Sequence, residues 1–422
     1  MLRGSMIHFY AIGLLIAAVA ACSATLPGRG PEARAAVQHL ASFTGLNGAG
    51  GVASPQFDLF AHVYDRVRRN YVNEVDKNEL MAAAVEAVKD ANDQGLTDDS
   101  KIVKAAISGM LATLDKYSVF LDGDEYNSIR DETKGEFGGI GIEVSKGDGF
   151  IEVVTPLDGT PGEKAGLEPG DRITHADGFS LAELSFRDAV RRLRGRVGTQ
   201  ITLTIDRDGV RPFETTIIRA IIKIEAVRWR LEEKIGYVRI TTFNAHTGSE
   251  LQKAVGGIRK ELGESLIGLV IDLRNNPGGL LSQSIEVSDA LLDKGQIVST
   301  RGRNNENIYS ASFGDIVRGL PIVVLVNRGS ASAAEIVAGA LKDHNRALLI
   351  GEKTFGKGSV QTIIPMAGQQ ALKLTTALYY TPSGKIVDGG IAPHILVEMD
   401  DILDGDEQLQ RALIEIRRMA SS

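Results

Sequence analysis

Apolar side chains in the first ordered part of the chain recur every three or four positions, which is the period of an amphipathic helix. The stripe in QFDLFAHVYDRVRRNYV consists of Phe57, Phe60, Tyr64, Val67 and Tyr71. The segment KIVKAAISGMLATL repeats the pattern, so we predict a small helical region over residues 55–130. The aromatic stripe suits either core packing or a seam between two copies of the chain.

After Phe137 the pattern changes to short apolar stretches punctuated by Gly, Pro and Asp, as in FGGIGIEV and FIEVVTPLDGTPGEKAGLEPGDRITHADG. Such stretches indicate short strands joined by tight turns. We therefore predict a mostly-β domain over residues 131–221, with one helix at SFRDAVRRLRG.

Strands and helices alternate beyond Ile222. The runs KIGYVRITTF, LIGLVIDLR, PIVVLVN and ALLIGE predict buried strands, and a helical pattern follows each of the first three. A predicted capping box, Thr247-Gly248-Ser249-Glu250, opens the first of these helices, which runs to Leu262. Serial βα units imply a largely parallel sheet with functional residues at the carboxyl ends of its strands. A last helix is predicted within residues 401–422.

The N-terminus has the character of an export signal. Arg3 precedes an apolar run from about Met6 to Ala21, too short for a spanning helix of about 20 residues, so residues 1–22 read as a secretory signal peptide. Val19-Ala20-Ala21-Cys22 resembles the lipobox of bacterial lipoproteins, and Cys22 is either a lipid anchor or incidental. Residues 23–54, rich in Ala, Gly and Ser, predict a flexible tether.

Composition narrows the class of protein. Of 422 residues, 43% are hydrophobic and 24% are charged, which are ordinary values for globular domains with sizeable cores. The net charge of −7 gives no global basic surface and argues against nucleic acid as a partner. Since Cys22 is the only cysteine, an intrachain disulfide is excluded.

Two serines stand where a predicted strand meets a predicted helix. In VNRGSASAAEIVAGAL, Ser330 and Ser332 follow the strand, and an Ala-rich helical run with Glu335 in its first turn comes after them. A hydroxyl here lies beside unpaired backbone N–H groups at the positive end of the helix dipole. The position suits an N-cap, and it also suits a nucleophile next to an oxyanion site.

A serine nucleophile needs a base, because its hydroxyl reacts poorly at neutral pH. His344, beside Asp343, ends the same helix about 18 Å from Ser332, too far for a Ser-His-Asp triad. We therefore predict that His344 serves the helix C-terminus. Lys357, flanked by glycines in GEKTFGKGSVQ, is the better base, because burial would lower its pKa towards neutrality.

The same stretch raises a nucleotide-binding alternative. Residues from Gly351 to Lys357 fit the pattern GxxxxGK, and the strand that ends at Asp272 could pass for a Walker B strand. However, Gly358 stands where the P-loop needs Ser or Thr for Mg²⁺, and the β-branched residues before Pro365 disfavour the long helix that must follow. The Ser-Lys interpretation is the stronger one.

The mostly-β segment resembles a PDZ domain. The resemblance rests on the turn Ala165-Gly166-Leu167, on the run PGDRI and on a glycine-rich loop, which consists of Phe137, Gly138, Gly139, Ile140 and Gly141. In PDZ domains this loop offers backbone N–H groups to a ligand's terminal carboxylate. The arginines of the following helix form either a solvated face or a sensor of that carboxylate: Arg187, Arg191, Arg192 and Arg194.

Taken together, the chain resembles the carboxyl-terminal processing peptidases, or tail-specific proteases, from about residue 55 to about residue 398. The matching segments are GEFGG, DLRNNPGG, SASA with Glu335, TFGKG with Gln361, and YTPSG. The resemblance implies a ClpP/crotonase-like α/β catalytic domain over residues 222–400, with an inserted PDZ domain and an N-terminal helical region. It also implies a serine endopeptidase without metal or cofactor that acts on the free C-terminal tails of exported proteins, in the bacterial periplasm or cell envelope.

The resemblance also assigns the site residues. In the family the nucleophile is the second serine of the SAS run, 25 residues before the lysine, which selects Ser332 and leaves Ser330 as the cap. Gln361 would orient Lys357, and the amides of Gly278 and Ala333 would form the oxyanion hole. We expect a turned backbone between Lys357 and Gln361 in the active form, because an extended strand would hold them about 13 Å apart.

One departure from the family pattern is Asp115-Lys116-Tyr117-Ser118, where relatives commonly have Asp-Pro-His-Ser. It lies outside the assigned catalytic set, so we predict that it affects local helical contacts and not the reaction. An inactive PDZ scaffold on a peptidase-like fold is the alternative to an enzyme. The sequence leaves open the substrate, a homo-oligomer or adaptor protein, and whether the PDZ domain activates or blocks the site.

Overall fold

The computed structural model describes residues 30–44, 55–96, 98–312, 314–398 and 405–421. Its helices are α1 (Pro31–Thr44), α2 (Pro55–Asn70), α3 (Lys77–Asp93), α4 (Asp99–Ala112), α5 (Gly123–Lys134), α6 (Pro161–Lys164), α7 (Phe186–Leu193), α8 (Thr247–Leu262), α9 (Leu281–Leu291), α10 (Ala333–Asp343) and α11 (Glu407–Ala420).

The strands divide among the β-rich domain and two sheets of the α/β region. They are β1 (Val119–Leu121), β2 (Glu136–Gly139), β3 (Ile142–Lys146), β4 (Ile151–Pro156), β5 (Arg172–Ala176), β6 (Phe179–Ser180), β7 (Gln200–Asp206), β8 (Phe213–Ile218), β9 (Ala220–Lys223), β10 (Val227–Glu232), β11 (Ile235–Ile240), β12 (Gly268–Asp272), β13 (Gly295–Gly302), β14 (Glu306–Ala311), β15 (Ile322–Val326), β16 (Leu348–Gly351), β17 (Ser359–Pro365), β18 (Ala371–Tyr380) and β19 (Ile395–Leu396).

Helices α1 to α4 enclose the first apolar core, and the predicted aromatic stripe belongs to it. The five side chains of the stripe are buried: Phe57, Phe60, Tyr64, Val67 and Tyr71. The core-packing interpretation of the stripe is therefore the correct one. Leu372 and Leu374 of β18 enter the same core, and β1 pairs antiparallel with β18. The helical region and the α/β domain thus share buried surface.

The prediction of a flexible tether over residues 23–54 is wrong for Pro31–Thr44, which form helix α1. The small apolar residues Ala33, Ala36, Val37 and Leu40 are spaced by three and four and are buried against the helical core. A composition rich in Ala, Gly and Ser is typical of a flexible tether. However, Ala is a good helix former, and apolar residues at helical spacing give the helix an apolar face. The predicted signal segment with Arg3 and Cys22 lies outside the described residues. Among the helices that are described, none is long and apolar enough to cross a membrane.

The PDZ-like domain is inserted through a two-stranded ribbon. Strands β2 and β9 pair antiparallel, and between them β3-β4-β5-β7-β8 form an antiparallel sheet with β6 at β5. Ile173, Ile201 and Leu193 lie in the core between this sheet and α7. Because chain entry and exit both run through the ribbon, the domain is an insertion, as predicted.

The α/β domain is built on the predicted parallel sheet. Its order is β10-β11-β12-β15-β16-β19, in which only β10 runs antiparallel to its neighbour. Alternate strand residues face opposite layers: Val324 packs in the core with α8, α9 and α10, whereas Val323 packs with α11. Burial on both faces explains why these strands read as unbroken apolar runs.

The capping box predicted for α8 does not form. Helix α8 begins at Thr247 and ends at Leu262, but His246 occupies the N-cap position. The Glu250 carboxylate instead accepts hydrogen bonds from the backbone amides of Ala226 and Val227, at 3.0 and 3.1 Å. The Glu250 side chain thus bonds to the backbone at the start of β10 and not to the N-terminus of its own helix.

Candidate active site

Ser332 lies at the sharp turn between β15 and α10. It is the N-cap residue of α10 and has a φ of 55°, the left-handed region that a non-glycine residue rarely adopts. The turn packs directly against Gly278, where an added Cβ would lie 2.8 Å from Ser332 Cβ and 3.0 Å from the Ala333 nitrogen. Backbone strain of this kind persists only where the surroundings hold it, and it is typical of functional sites.

Ser330 is not the cap of α10, and that prediction is wrong. Its fully buried hydroxyl donates to the Leu273 carbonyl at 2.8 Å and accepts from the Asn327 amide at 3.0 Å. It thereby ties the turn to the loop after β12. Both serines are capping types in local sequence, and the structure places Ser332 at the N-cap and Ser330 against the Leu273 carbonyl.

The buried carboxylate of Glu335 joins the Ser332 turn to the Lys357 loop. It accepts hydrogen bonds from four donors: the amides of Ser332 (2.8 Å), Gly356 (2.7 Å) and Lys357 (2.9 Å), and the Thr354 hydroxyl (2.5 Å). Glu335 itself has no exposed surface. One side chain therefore fixes the backbone of the predicted nucleophile and of the predicted base relative to each other.

The Lys357 side chain points into a cavity of 470 Å³ between the helical region and the α/β domain. Burial lowers the pKa of Lys357 below its ordinary value, the nearby charge of Lys373 lowers it further, and Glu335 opposes both. Among the described residues, no hydrogen bond joins Lys357 Nζ to Ser332. The structure thus fixes the two backbones through Glu335 without a hydrogen bond between the two reactive side chains.

A tyrosine side chain lies beside each member of the predicted dyad. The Tyr117 ring lies 5.0 Å from Lys357 Nζ, centroid to atom. Burial raises the pKa of Tyr379 to about 12, and a hydrogen bond with the Ser332 side chain opposes this shift. The sequence analysis places neither tyrosine at the site: Tyr117 belongs to a departure expected to lie outside it, and Tyr379 has no local motif.

The departure at Lys116-Tyr117 therefore does reach the site. The prediction that it affects local helical contacts alone is wrong, since Tyr117 lines the Lys357 cavity and contacts the lysine. The amide of Tyr117 donates to Asp115 Oδ1 at 2.7 Å, which holds the segment as a tight turn after α4.

Gln361 lies on strand β17 and not on a turn. Its Nε2 donates to Ser359 Oγ at 2.9 Å and to Thr375 Oγ1 at 3.4 Å. The expectation of a turned backbone between Lys357 and Gln361 is wrong for this structure, because β17 pairs with β18 from Ser359 to Pro365. The same strand removes the nucleotide alternative, since a P-loop needs a helix there.

The two candidate oxyanion donors are neighbours but differ in their present partners. The Gly278 amide donates to Asn276 Oδ1 at 2.8 Å. Among the described residues, no hydrogen bond is made by the Ala333 amide, which is the first of α10. Gly278 has a φ of +102°, so this close approach requires glycine. His344 is the C-cap residue of α10 and contacts the Gln296 carbonyl at 2.7 Å, away from Ser332.

An apolar groove of 190 Å³ lies between the glycine-rich loop and α7. Its wall includes Phe137, Gly139, Ile140 and Gly141, together with Phe186, Val190 and Leu193. Gly138 lies behind the groove, where its carbonyl accepts from the Gly195 amide at 3.0 Å.

Arg194 lies at the same groove, with its guanidinium 4.1 Å from the centroid of the Phe137 ring. Arg191 instead pairs with Asp188, and Arg192 lies over Phe179. Within the described part of the chain, the amides of Ile140 and Gly141 make no hydrogen bond, so both are free to donate to a ligand.

Comparison with known proteins gives a consistent result. The model of Peptidase family S41 matches residues 234–397, and that of the PDZ domain matches residues 152–207. The chain is 48% identical over 348 residues to the carboxy-terminal-processing protease of Bartonella bacilliformis, covering 81% of this chain and 75% of the relative. It is 38% identical over 309 residues to the carboxy-terminal processing protease CtpA of Bacillus subtilis, covering 72% and 66%. The structure of a photosystem II D1 C-terminal processing protease is similar at a TM-score of 0.53 and 30% identity, covering 85% of this chain and 97% of that one.

Proposed function

The chain belongs to the carboxy-terminal processing proteases of peptidase family S41, which are serine-type enzymes, and from this premise we propose a Ser332–Lys357 endopeptidase that captures protein tails on its PDZ domain. The observation that carries the proposal is the Glu335 carboxylate, which binds the amides of both residues at 2.8 and 2.9 Å. A shared buried acceptor of this kind sets the relative position of two chain segments that the reaction needs together.

In the proposed reaction, Ser332 Oγ attacks the scissile carbonyl and its proton passes to Lys357 Nζ. The amides of Gly278 and Ala333 donate to the oxyanion that forms, and preorganised donors of this kind typically contribute about 3 kcal/mol each. Gly278 would exchange its bond to Asn276 Oδ1 for the oxyanion. Gln361 would turn from Ser359 to hold Lys357.

Assembly of the dyad therefore requires a change from the structure described. Lys357 moves away from the Tyr117 ring, and its side chain meets that of Ser332. We infer that the described arrangement is a resting state. An inactive scaffold remains the alternative function, and the separation of the two reactive groups is the observation that favours it.

The PDZ groove supports the capture of an apolar tail. Its aliphatic and aromatic wall suits an apolar last residue, while the amides of Ile140 and Gly141 suit the terminal carboxylate. Arg194 at the mouth of the groove adds positive charge beside it. The proposed substrates are exported proteins, with the enzyme in the bacterial periplasm or cell envelope.

A peptide with an amidated C-terminus should be cleaved more slowly than the same peptide with a free carboxylate. Amidation removes the negative charge that the loop amides and Arg194 would bind, and a hydrogen bond to a charged group contributes about 1.5–3 kcal/mol. We expect kcat/KM to fall by roughly tenfold or more. Cleavage of an unfolded substrate is measured well below saturation, with both forms of the tail.

Arg194→Met provides the matched variant for this measurement. It keeps the apolar stem over Phe137 but removes the charge, so the difference between free and amidated tails should shrink. Equal rates for the two tails on the intact enzyme would contradict tail capture while leaving the Ser-Lys chemistry standing. No cleavage of either tail under any condition would favour the scaffold.

Glu335→Gln should impair both stability and activity, although it changes almost no volume. The side-chain NH₂ group of glutamine cannot accept hydrogen bonds. The two buried donors that bond to the replaced carboxylate oxygen therefore lose their acceptor, at about 1–3 kcal/mol each. We expect the free energy of unfolding to fall by roughly 2–4 kcal/mol. We also expect kcat/KM to fall about 100-fold, because both the nucleophile and the base are displaced.

Urea unfolding and kcat/KM check this prediction, with Glu352→Gln as the control. Glu352 lies at the start of the same loop and, among the described residues, forms its ion pair with Arg328, which is 81% exposed. Loss of this pair should therefore change the stability by less than about 1 kcal/mol. An unaltered kcat/KM in Glu335→Gln would show that the carboxylate does not position the dyad.

A further inference from the structure

The contact between Tyr117 and Lys357 has a chemical consequence for the base. A cation over the face of an aromatic ring is stabilised by the negative charge density of that face, and this attraction is lost when the cation becomes neutral. The ring therefore favours the ammonium form of Lys357, whereas burial favours the amine. The reaction requires the amine.

The cavity around Lys357 offers its ammonium no anionic partner at contact distance. Among the described residues, Lys357 Nζ makes no hydrogen bond and no ion pair. The charged and titratable groups that face the lysine or line its cavity are Tyr71, Asp115, Lys116, Tyr117, Glu335, Lys373 and Asp388. The Tyr117 ring centroid lies 5.0 Å from Lys357 Nζ, and Lys116 Nζ lies 5.1 Å from the same centroid.

The turn that carries Tyr117 is itself fixed. Asp115 Oδ1 accepts the amides of Tyr117 and Ser118, at 2.7 and 2.8 Å. The buried Ser118 hydroxyl accepts from the Thr375 amide at 3.2 Å, and Thr375 Oγ1 accepts from Gln361 Nε2 at 3.4 Å. Hydrogen bonds thus fix the turn that carries the ring and connect it to Gln361, the proposed orienting residue.

We propose that Tyr117 is a positioning residue for Lys357: its ring holds the lysine in the charged form, away from Ser332, until the dyad assembles. The proposal rests on the Ser332–Lys357 function given above. Tyr117 belongs to the N-terminal helical region, and family membership alone assigns no role to its side chain. The expected signature is a change in the pH dependence of the base and not a general loss of activity.

The test compares Tyr117→Leu, Tyr117→Phe and Tyr117→Trp in the full chain. Leucine fills much of the space without an aromatic face, so the midpoint of the rise of kcat/KM with pH should move down by roughly half a unit to one unit. Below the midpoint, kcat/KM should rise about three- to tenfold. Phenylalanine keeps the face and should keep the midpoint, whereas tryptophan binds cations more strongly and should raise it.

The pKa of Lys357 is also followed without catalysis, by NMR of ¹³C-dimethylated lysines, with the signal assigned by its loss in Lys357→Met. Tyr126→Leu serves as the control, because Tyr126 on α5 packs under Arg130 and does not line the cavity. It should leave the pKa unchanged. A midpoint that is unchanged or raised in Tyr117→Leu, or equal shifts in Tyr117→Phe and Tyr117→Leu, would overturn the proposal.

The NMR titration tests the role of Tyr117 independently of the proposed endopeptidase activity. If the wild type cleaves nothing, the endopeptidase proposal fails, and the lysine titration still decides whether Tyr117 stabilises the ammonium. If Tyr117→Leu does not fold, the upward shift in Tyr117→Trp tests the same interaction with the opposite sign, and its absence counts against the proposal.

Discussion

Ser332→Ala should abolish proteolysis and leave the fold intact. The substitution deletes the attacking oxygen, and losses of a serine nucleophile reach about 10⁶-fold in kcat. We expect a fall of at least roughly 10⁴-fold. The strained φ of 55° is retained by the surrounding contacts, so the free energy of unfolding should change by less than about 1 kcal/mol. The measurements are cleavage of an unfolded substrate and urea unfolding.

Ser330→Ala is the matched control two residues away. Its hydroxyl accepts from the Asn327 amide and donates to the Leu273 carbonyl, which also accepts from the Asn276 amide at 3.2 Å. Its loss therefore leaves the Asn327 amide without its acceptor, which costs about 1–3 kcal/mol of stability. Substantial activity should remain in the folded fraction. A stable but inactive Ser330→Ala beside an active Ser332→Ala would mean that the two serines have been assigned the wrong way round.

Lys357→Ala has the second largest expected effect, because it removes the base. Lys357→Arg should be almost as inactive, since a guanidinium cannot release its proton in a protein. Both variants keep the backbone amide that binds Glu335. We expect losses of about 10³-fold or more in kcat, within the range found when a member of a catalytic set is removed.

The pH dependence of the wild type follows from the same residue. The neutral amine accepts the proton, so the rate rises with pH as Lys357 loses its charge. Because burial and Lys373 lower the pKa of Lys357, this rise should occur below the ordinary range of a lysine. A profile that is flat across this range, or one that falls with pH, would exclude Lys357 as the base. The pH profile of kcat/KM provides the check.

Much of the architecture was readable from local pattern. Unbroken apolar runs predicted the parallel strands because a sheet covered on both faces buries every residue. Spacing of three and four predicted α2 and α4, since helix geometry places those positions on one face. The same rule would have found α1, but its Ala-rich composition was read as a linker. In this segment the composition favours a linker, whereas the spacing of the apolar residues favours a helix. The helix forms because it buries Val37 and Leu40.

The site was only partly readable. The resemblance to the processing peptidases assigned Ser332 and Lys357 through the SASA and TFGKG segments, whereas local pattern alone left both serines open. Glu335 was noted as a first-turn residue, but its four hydrogen bonds to two separate segments could not be read from helix pattern. A capping motif describes contacts within four residues, whereas this carboxylate reaches 22 residues along the chain.

What the sequence alone determined is the set of elements and the types of reactive group, because hydrophobic period and residue chemistry are local properties. What the tertiary structure decided is which groups meet. Tyr117 reaches Lys357 only because β1 pairs with β18 and draws the end of the helical region against the catalytic loop. Ser330 and Ser332 take different roles only because Leu273 lies beside one of them. Such contacts depend on how separate segments pack, and no periodicity within a single segment encodes them.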